Sequence, residues 1–178
     1  MDKKKSQKLR GERTILREKR MADATNDYVW ARDKELMRLD AAEPVKVTFA
    51  EYFANYAEII KVRNRKNRGF AIETSDGRHI GNCGYYNIDK IRKEAELGIM
   101  IGDREYWGKG YGSDVTLILL RYLFHDVGME RICLYTLEWN VRAQRCFEKC
   151  GFVPCARINK RGYDFIKMEL YRHWIESE

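Results

Sequence analysis

The sequence predicts an α/β (α+β) chain, with helices packed on a mixed sheet inside one domain. Three observations carry this. Apolar residues switch repeatedly between the alternate spacing of strands and the three-to-four spacing of helices, in the order βααβββαβαββ. A glycine-rich run, Tyr106-Trp107-Gly108-Lys109-Gly110-Tyr111-Gly112-Ser113-Asp114, joins a strand-like segment directly to a long apolar helix. No internal repeat divides the 178 residues, a length that suits one domain with a full core.

Taken in order, Thr14–Arg17 reads as a short strand. Residues 21–34 have a helical pattern, with Ala22, Tyr28, Val29 and Trp30 among the less polar positions. Residues 36–48, broken by Pro44, are expected to form a loop. A second helix covers 49–60, with Phe49, Tyr52, Phe53, Tyr56 and Ile60 three or four apart. Strand-like segments follow at 69–73, 80–88 and 95–101. Ser75-Asp76-Gly77 is a hairpin signal between the first two, and 89–94 links the second to the third.

The helix over 110–127 is apolar nearly all round, at Val115, Leu117, Ile118, Leu119, Leu120, Tyr122, Leu123 and Phe124. Such a helix packs on more than one side. Gly128 marks its end. A strand at 131–137 and a helix over about 141–149, capped by Asn140, come next. Two strands close the chain, turned by Asn159-Lys160-Arg161-Gly162, the last one at 163–171.

Bulk properties exclude several classes. No apolar run approaches the ~20 residues of a membrane span. The N-terminus is Lys-rich without an apolar core, so a secretory signal is not expected. Cys83, Cys133, Cys146, Cys150 and Cys155 form an odd set without CxxC spacing, and His79, His125 and His173 are scattered. Reduced thiols in a cytoplasmic protein, and no metal, are the expectation. The net charge of +7 is concentrated: nine Lys/Arg face three carboxylates in residues 1–20, and 61–68 adds five more cations. Residues 1–12 are expected to form a basic tail before a single domain at 13–178. The tail is either solvated or a contact for RNA or the ribosome.

The glycine run has a chemistry of its own. Glycines permit positive φ and close approach to the backbone. Free N–H groups at a helix N-terminus converge on an anion, and the helix dipole adds to the attraction. Phosphate or pyrophosphate is the natural ligand. The GxGxG spacing is neither a Walker A loop nor a dinucleotide fingerprint.

Glu96-Leu97-Gly98, continued by the run from Tyr106 to Gly112, resembles motif A of the GNAT acetyltransferases. It is most similar to the RimJ/RimL-type branch, where Trp stands at the place other members fill with Gln or Arg. Asn140, Ala143 and Phe147-Glu148-Lys149-Cys150-Gly151-Phe152 resemble motif B. Ile15-Leu16-Arg17, Asp23-Ala24 and Trp30 fit the same branch.

The resemblance implies the GNAT fold. That is a central, mixed, mostly antiparallel sheet of about six to seven strands, with helices on both faces and a splayed parallel pair at 95–101 and 131–137. It implies acetyl-CoA as cosubstrate, lying in the splay. The backbone of Trp107, Gly108, Lys109, Gly110, Tyr111 and Gly112 would cradle the pyrophosphate. Ile99, Met100 and Ile101 would bond the pantetheine amides, with Asn140 and Phe147 also at the cofactor. A bulge in the first splayed strand would aim an N–H at the thioester oxygen.

Transfer to an amine needs positioning and proton handling. Glu96 is the candidate base, through water, with Glu94 and Glu138 as alternatives. Phe147 occupies the place where many relatives carry the Tyr that protonates the departing thiolate. Either another group serves, with Tyr135 the candidate acid, or water does, or the thiolate leaves without an acid. Cys146 and Cys150, four apart, suggest either an acetyl-cysteine relay or two structural thiols. Asp33, Glu35, Asp40 and Glu43 are candidates for an acidic acceptor groove.

The expected activity is direct transfer, in a ternary complex, to a protein N-terminus or a small amine. The alternatives are a polyamine, amino-sugar or aminoglycoside acceptor, a CoA-binding module without turnover, and a basic RNA-binding protein. A homodimer is also expected as an assembly.

Overall fold

The computed structural model describes residues 8–61 and 67–176. Residues 1–7 of the expected basic tail, and most of the basic run at 61–68, lie outside the described residues. The strands are β1 (Leu9–Arg10), β2 (Thr14–Arg17), β3 (Arg68–Thr74), β4 (His79–Asp89), β5 (Glu94–Ile101), β6 (Arg131–Leu137), β7 (Val153–Lys160) and β8 (Tyr163–Tyr171). They form one eight-stranded sheet in the order β1-β2-β3-β4-β5-β6-β8-β7. Every neighbouring pair is antiparallel except β5 and β6. The helices are α1 (Ala24–Arg32), α2 (Lys34–Leu39), α3 (Phe49–Lys61), α4 (Tyr111–Arg121), α5 (Val141–Glu148) and α6 (Arg172–Glu176).

Three elements depart from expectation. The expected strand β2 pairs with β1 in a hairpin at 9–17, and β1 lies inside the stretch read as a tail. The short helix α6 ends the described chain. The loop expected from residue 36 begins with helix α2 instead. Asp33 breaks the first helix with an extended backbone, and its carboxylate accepts from the N–H groups of Glu35 and Leu36. That is a full N-cap, and it restarts a helix where Pro44 had signalled only a loop.

The main core lies between the sheet and α4. Val115, Ile118, Leu119 and Leu123 pack with Leu97 of β5, Ile132 and Leu134 of β6, and Met168 of β8. Each such burial contributes roughly 1.5–3 kcal/mol. The apolar girth of α4 is nearly complete, except that Leu117 is 49% exposed. The helix widens into one π turn at Tyr122–Asp126 before Gly128 stops it at φ 77°. On the α3 stripe only Tyr56 is buried, while Phe49 and Phe53 face outward beside Tyr28 and Tyr52.

Two devices tie α1, α2 and the N-terminal hairpin to the rest. Trp30, Leu36 and Met37 form a second small core against Met100 and Trp107. Trp30 lies on Gly102, where a Cβ would fall 2.2 Å from the ring. Beneath α1 is a buried ionic network. Arg17 pairs with Asp23 at 2.7 Å and with Glu73. Asp27 accepts from Tyr56 at 2.5 Å, Asn82 at 2.6 Å and Lys19 at 2.8 Å.

Candidate active site

Strands β5 and β6 pair only at Glu94–Arg131, Ala95–Ile132 and Glu96–Cys133. Beyond Glu96 they part, while β5 stays zipped to β4 as far as Ile101–Gly81. The β6-facing edge of residues 97–101 is therefore open. Such an edge has backbone groups to offer a ligand amide. This is the splay expected at these two strands.

The glycine run follows the end of β5. Gly108 and Gly110 adopt φ of 71° and 86°, left-handed values that suit glycine. Gly110 is the N-cap of α4 and has no side chain to occupy the helix's first N–H groups. The Trp107 indole donates to the carbonyl of Ile101 at 2.7 Å, locking the loop to the strand. From the far wall, the Arg142 guanidinium lies 3.6 Å from the centre of the Trp107 ring. Arg104 approaches the same ring at 5.5 Å and pairs with Asp33 and Glu35.

Behind the loop, Asp114 in the first turn of α4 accepts from the N–H groups of Glu12, Arg13 and Thr14 and from the Thr14 hydroxyl. The β1–β2 turn is thereby pinned over the helix N-terminus, and Arg13 Nε comes within 3.9 Å of where a Gly110 Cβ would be.

These elements enclose one cavity of about 470 Å³. Ile99, Met100, Ile101, Trp107, Gly108, Gly110, Tyr111, Gly112, Asn140 and Phe147 all line it. Lys109, on the same loop, has an exposed side chain off its wall. Asn140 uses its side-chain oxygen to cap α5 at Ala143, and Phe147 stacks edge-on with Phe152. Arg142, Arg145 and Lys149 add positive charge to the wall. Open strand edge, uncapped helix N-terminus, glycines and cations together fit a pantetheine arm ending in phosphates.

The sequence-derived catalytic candidates sit apart from this wall. Glu96 is at the splay point and Tyr135 is on β6, both off the cavity lining. Glu96 Oε2 accepts from the Asn87 side chain at 2.9 Å. The Tyr135 ring is covered by Lys160 at 3.7 Å, and burial first, then the charges of Cys133 and Glu96, raise its phenol. Glu94 and Glu138 are engaged by Arg131 and Arg157. The bulge expected in β5 lies instead in β4, at Tyr86–Asp89, where Asn87 takes φ 53°. It turns Asn87 toward Glu96, and a lone Asn inside a strand pattern gave little warning of it.

Cys146 Sγ lies 3.4 Å from the Ser113 hydroxyl, and the Cys150 thiol points to the Ser113 carbonyl. Both thiols therefore stand beside the N-terminal turn of α4, the end that a cofactor phosphate would take. A relay of the acetyl group through Cys146 does not fit that placement. Burial pushes the Cys150 thiol up to about 11, away from thiolate chemistry. Among the described residues no group of side chains has the makings of a metal site, and no helix is long and apolar enough to cross a membrane.

A mixed sheet that splays one parallel pair onto a glycine-rich helix N-terminus defines a class, the acetyl-CoA-dependent N-acetyltransferases. The acetyltransferase (GNAT) domain model matches residues 13–153, and the chain belongs to that family.

Among curated relatives, the uncharacterized N-acetyltransferase p20 of Bacillus licheniformis is 29% identical over 122 residues, 68% of each chain. Spermidine N(1)-acetyltransferase of Vibrio cholerae is 28% identical over 110 residues, 59% of this chain and 63% of that one. YdaF of Bacillus subtilis, whose name gives it provisionally as a ribosomal N-acetyltransferase, is 24% identical over 109 residues, 58% of this chain and 59% of its own. The alignments thus span between 59% and 68% of these relatives' lengths. A crystal structure of spermidine N-acetyltransferase from Vibrio cholerae, in complex with CoA and spermine, superposes with a TM-score of 0.77 at 25% identity. It covers 90% of this chain and 96% of that one.

Proposed function

We propose that this chain transfers the acetyl group of acetyl-CoA to a primary amine by direct attack in a ternary complex, within one domain at 13–178. The observation that carries the reading is the parting of β5 and β6 directly above the glycine loop. In this reading the loop N–H groups of 107–112 hold the pyrophosphate. The open edge of Ile99, Met100 and Ile101 aligns the pantetheine. Asn140, Phe147 and Arg142 form the opposite wall.

The amine must lose a proton before or during attack. Glu96, steadied by Asn87 at the apex of the splay, takes it through water. Phe147 has no proton to give. The CoA thiol, with an ordinary pKa near ~8.5, leaves as the thiolate unless Tyr135 supplies a proton.

The favoured acceptor is a small amine with more than one positive charge, as the names of the Vibrio relatives suggest for those proteins. The second reading, favoured by the likeness to YdaF, is a RimJ/RimL-type enzyme of the cytoplasm acting on a protein N-terminus. The basic segments at 1–20 and 61–68 would then meet the ribosome, and a homodimer is compatible with either reading.

A panel of polyamines, amino sugars, aminoglycosides and N-terminal peptides, read by release of free thiol, tests all of this. Saturable thiol release with a polyamine is expected. Release only with peptides selects the second reading. Tight CoA binding with no release from any amine overturns transfer and leaves a CoA-binding module.

A further inference from the structure

The four carboxylates around α2 have different fates. Asp33 caps α2 and, with Glu35, is neutralised by Arg104. Glu43 is exposed and off the cavity wall. Asp40 alone lines the cavity, next to the apolar Leu36, Leu39 and Met100.

Its backbone N–H makes the helix-end bonds, so the α2 terminus does not need its carboxylate. Among the described residues no Lys, Arg or His pairs with it. One side of the group faces solvent, while the other is crowded enough that burial raises the carboxyl above the ordinary range. An unpaired carboxylate against an apolar wall is unfavourable until a cation joins it.

A second carboxylate lies on the same side of the sheet. Tyr86 of β4 pairs with Glu96 of β5, and its phenol is raised by burial first, then by Cys83, then by the charges of Asp40 and Glu96. The Tyr86 ring fits because position 98 is glycine: a Cβ there would lie 3.0 Å from the ring. Tyr86 is 40% exposed. An aromatic ring near two carboxylates is a good environment for an aliphatic chain carrying ammonium groups.

We propose that Asp40 is the specificity residue for the acceptor, holding a second, non-reacting ammonium across Tyr86 while Glu96 faces the amine that is acetylated. This rests on the amine-acetyltransferase reading above. An acceptor with one positive charge would use only the Glu96 end.

The test is Asp40→Asn, nearly isosteric, with Asp40→Glu as the conservative control. Initial rates are measured at saturating acetyl-CoA with spermidine, 1,4-diaminobutane and butylamine. For Asp40→Asn, KM for the two polycations is expected to rise at least ~10-fold, which is about 1.4 kcal/mol. Expected to be unchanged are kcat to within a few-fold, KM for acetyl-CoA and KM for butylamine. Asp40→Glu should keep most of the polyamine affinity.

Calorimetric titration of spermidine into the CoA-saturated protein reads the same contact without turnover. Binding that weakens in Asp40→Asn, in a wild type that releases no thiol, keeps the contact and refutes transfer. Equal KM and equal affinity in wild type and Asp40→Asn, or no spermidine binding by either, overturns the role of Asp40. A parallel loss for butylamine also overturns it, because the effect would then not depend on a second charge.

Discussion

At the scale of single residues, two positions test the proposed site. Gly110 holds φ 86° at the cap of α4 and faces the cavity. In the proposed reading, Gly110→Asp would add a carboxylate against the cofactor's phosphates, with Arg13 Nε 3.9 Å from where its Cβ would lie. CoA affinity, measured by calorimetry, is expected to fall at least ~10-fold. Gly110→Ala carries the backbone strain without the charge, and its smaller loss separates the two effects. Unchanged affinity in a folded Gly110→Asp protein would remove the loop from the binding site.

Glu96 is the other position. Glu96→Gln keeps a side-chain oxygen for the Asn87 amide but cannot take a proton. The expected outcome is a kcat about 100-fold lower near neutral pH, with KM for acetyl-CoA unchanged. Wild-type turnover in that variant would assign proton removal to another group or to bulk water.

At the scale of elements, the loop is only as well placed as the helix and hairpin that frame it. Asp114 satisfies three backbone N–H groups of the β1–β2 turn with one carboxylate. Asp114→Ala would leave those donors to solvent and release the turn from α4. A loss of about 1–3 kcal/mol in denaturant unfolding is expected, with CoA affinity falling as the helix N-terminus loosens. If stability holds while affinity falls, the hairpin acts on the ligand directly, through Arg13.

The α1–α2 pair is similarly tied to the cleft, through Trp30 on Gly102 and through Arg38, 4.5 Å from the Trp139 ring. Asp33 was legible as a polar residue near the end of the first helix but not as a cap, because the stretch after it, broken by Pro44, reads as a loop.

At the scale of the whole molecule, the buried network under α1 sets an acid limit. His79 is buried, with Nε2 against the Gly81 carbonyl and Nδ1 without a hydrogen-bond partner, 3.6 Å from Asp23. Burial lowers its pKa from the ordinary 6.5, with Arg17 acting in the same sense, and together they outweigh Asp23, Asp27 and the Gly81 carbonyl, which favour protonation. The unfolded chain therefore takes up the proton first as pH falls. Stability is level above about pH 6.5 and declines below it. Asp23, whose pKa is lowered from 3.8, adds its own loss only below that value.

The melting temperature is expected to drop by several degrees between about pH 7.5 and pH 5. His79→Gln, which keeps a donor for Gly81, should flatten that slope. Parallel slopes in the two proteins would place the acid sensitivity elsewhere.

The sequence by itself determined the local elements and the glycine turn. The bounds of β2 and β6, the Asn140 cap, the stop at Gly128 and the glycine turn all follow from periodicity, cap chemistry and glycine's access to positive φ. These depend on neighbours within a few residues, so one chain displays them in full. Only the tertiary structure decided the features that need distant partners. It ended the β5–β6 ladder at Glu96 and Cys133, moved the bulge to β4, and put Cys146 beside Ser113 in the first turn of α4. It also spent Asp33 and Glu35 on Arg104 while leaving Asp40 facing the cavity. Whether a charge is paired or free depends on which side chains the fold brings within a few ångströms. Arg104 lies about 70 positions along the chain from the acids it neutralises, and no local pattern encodes that meeting.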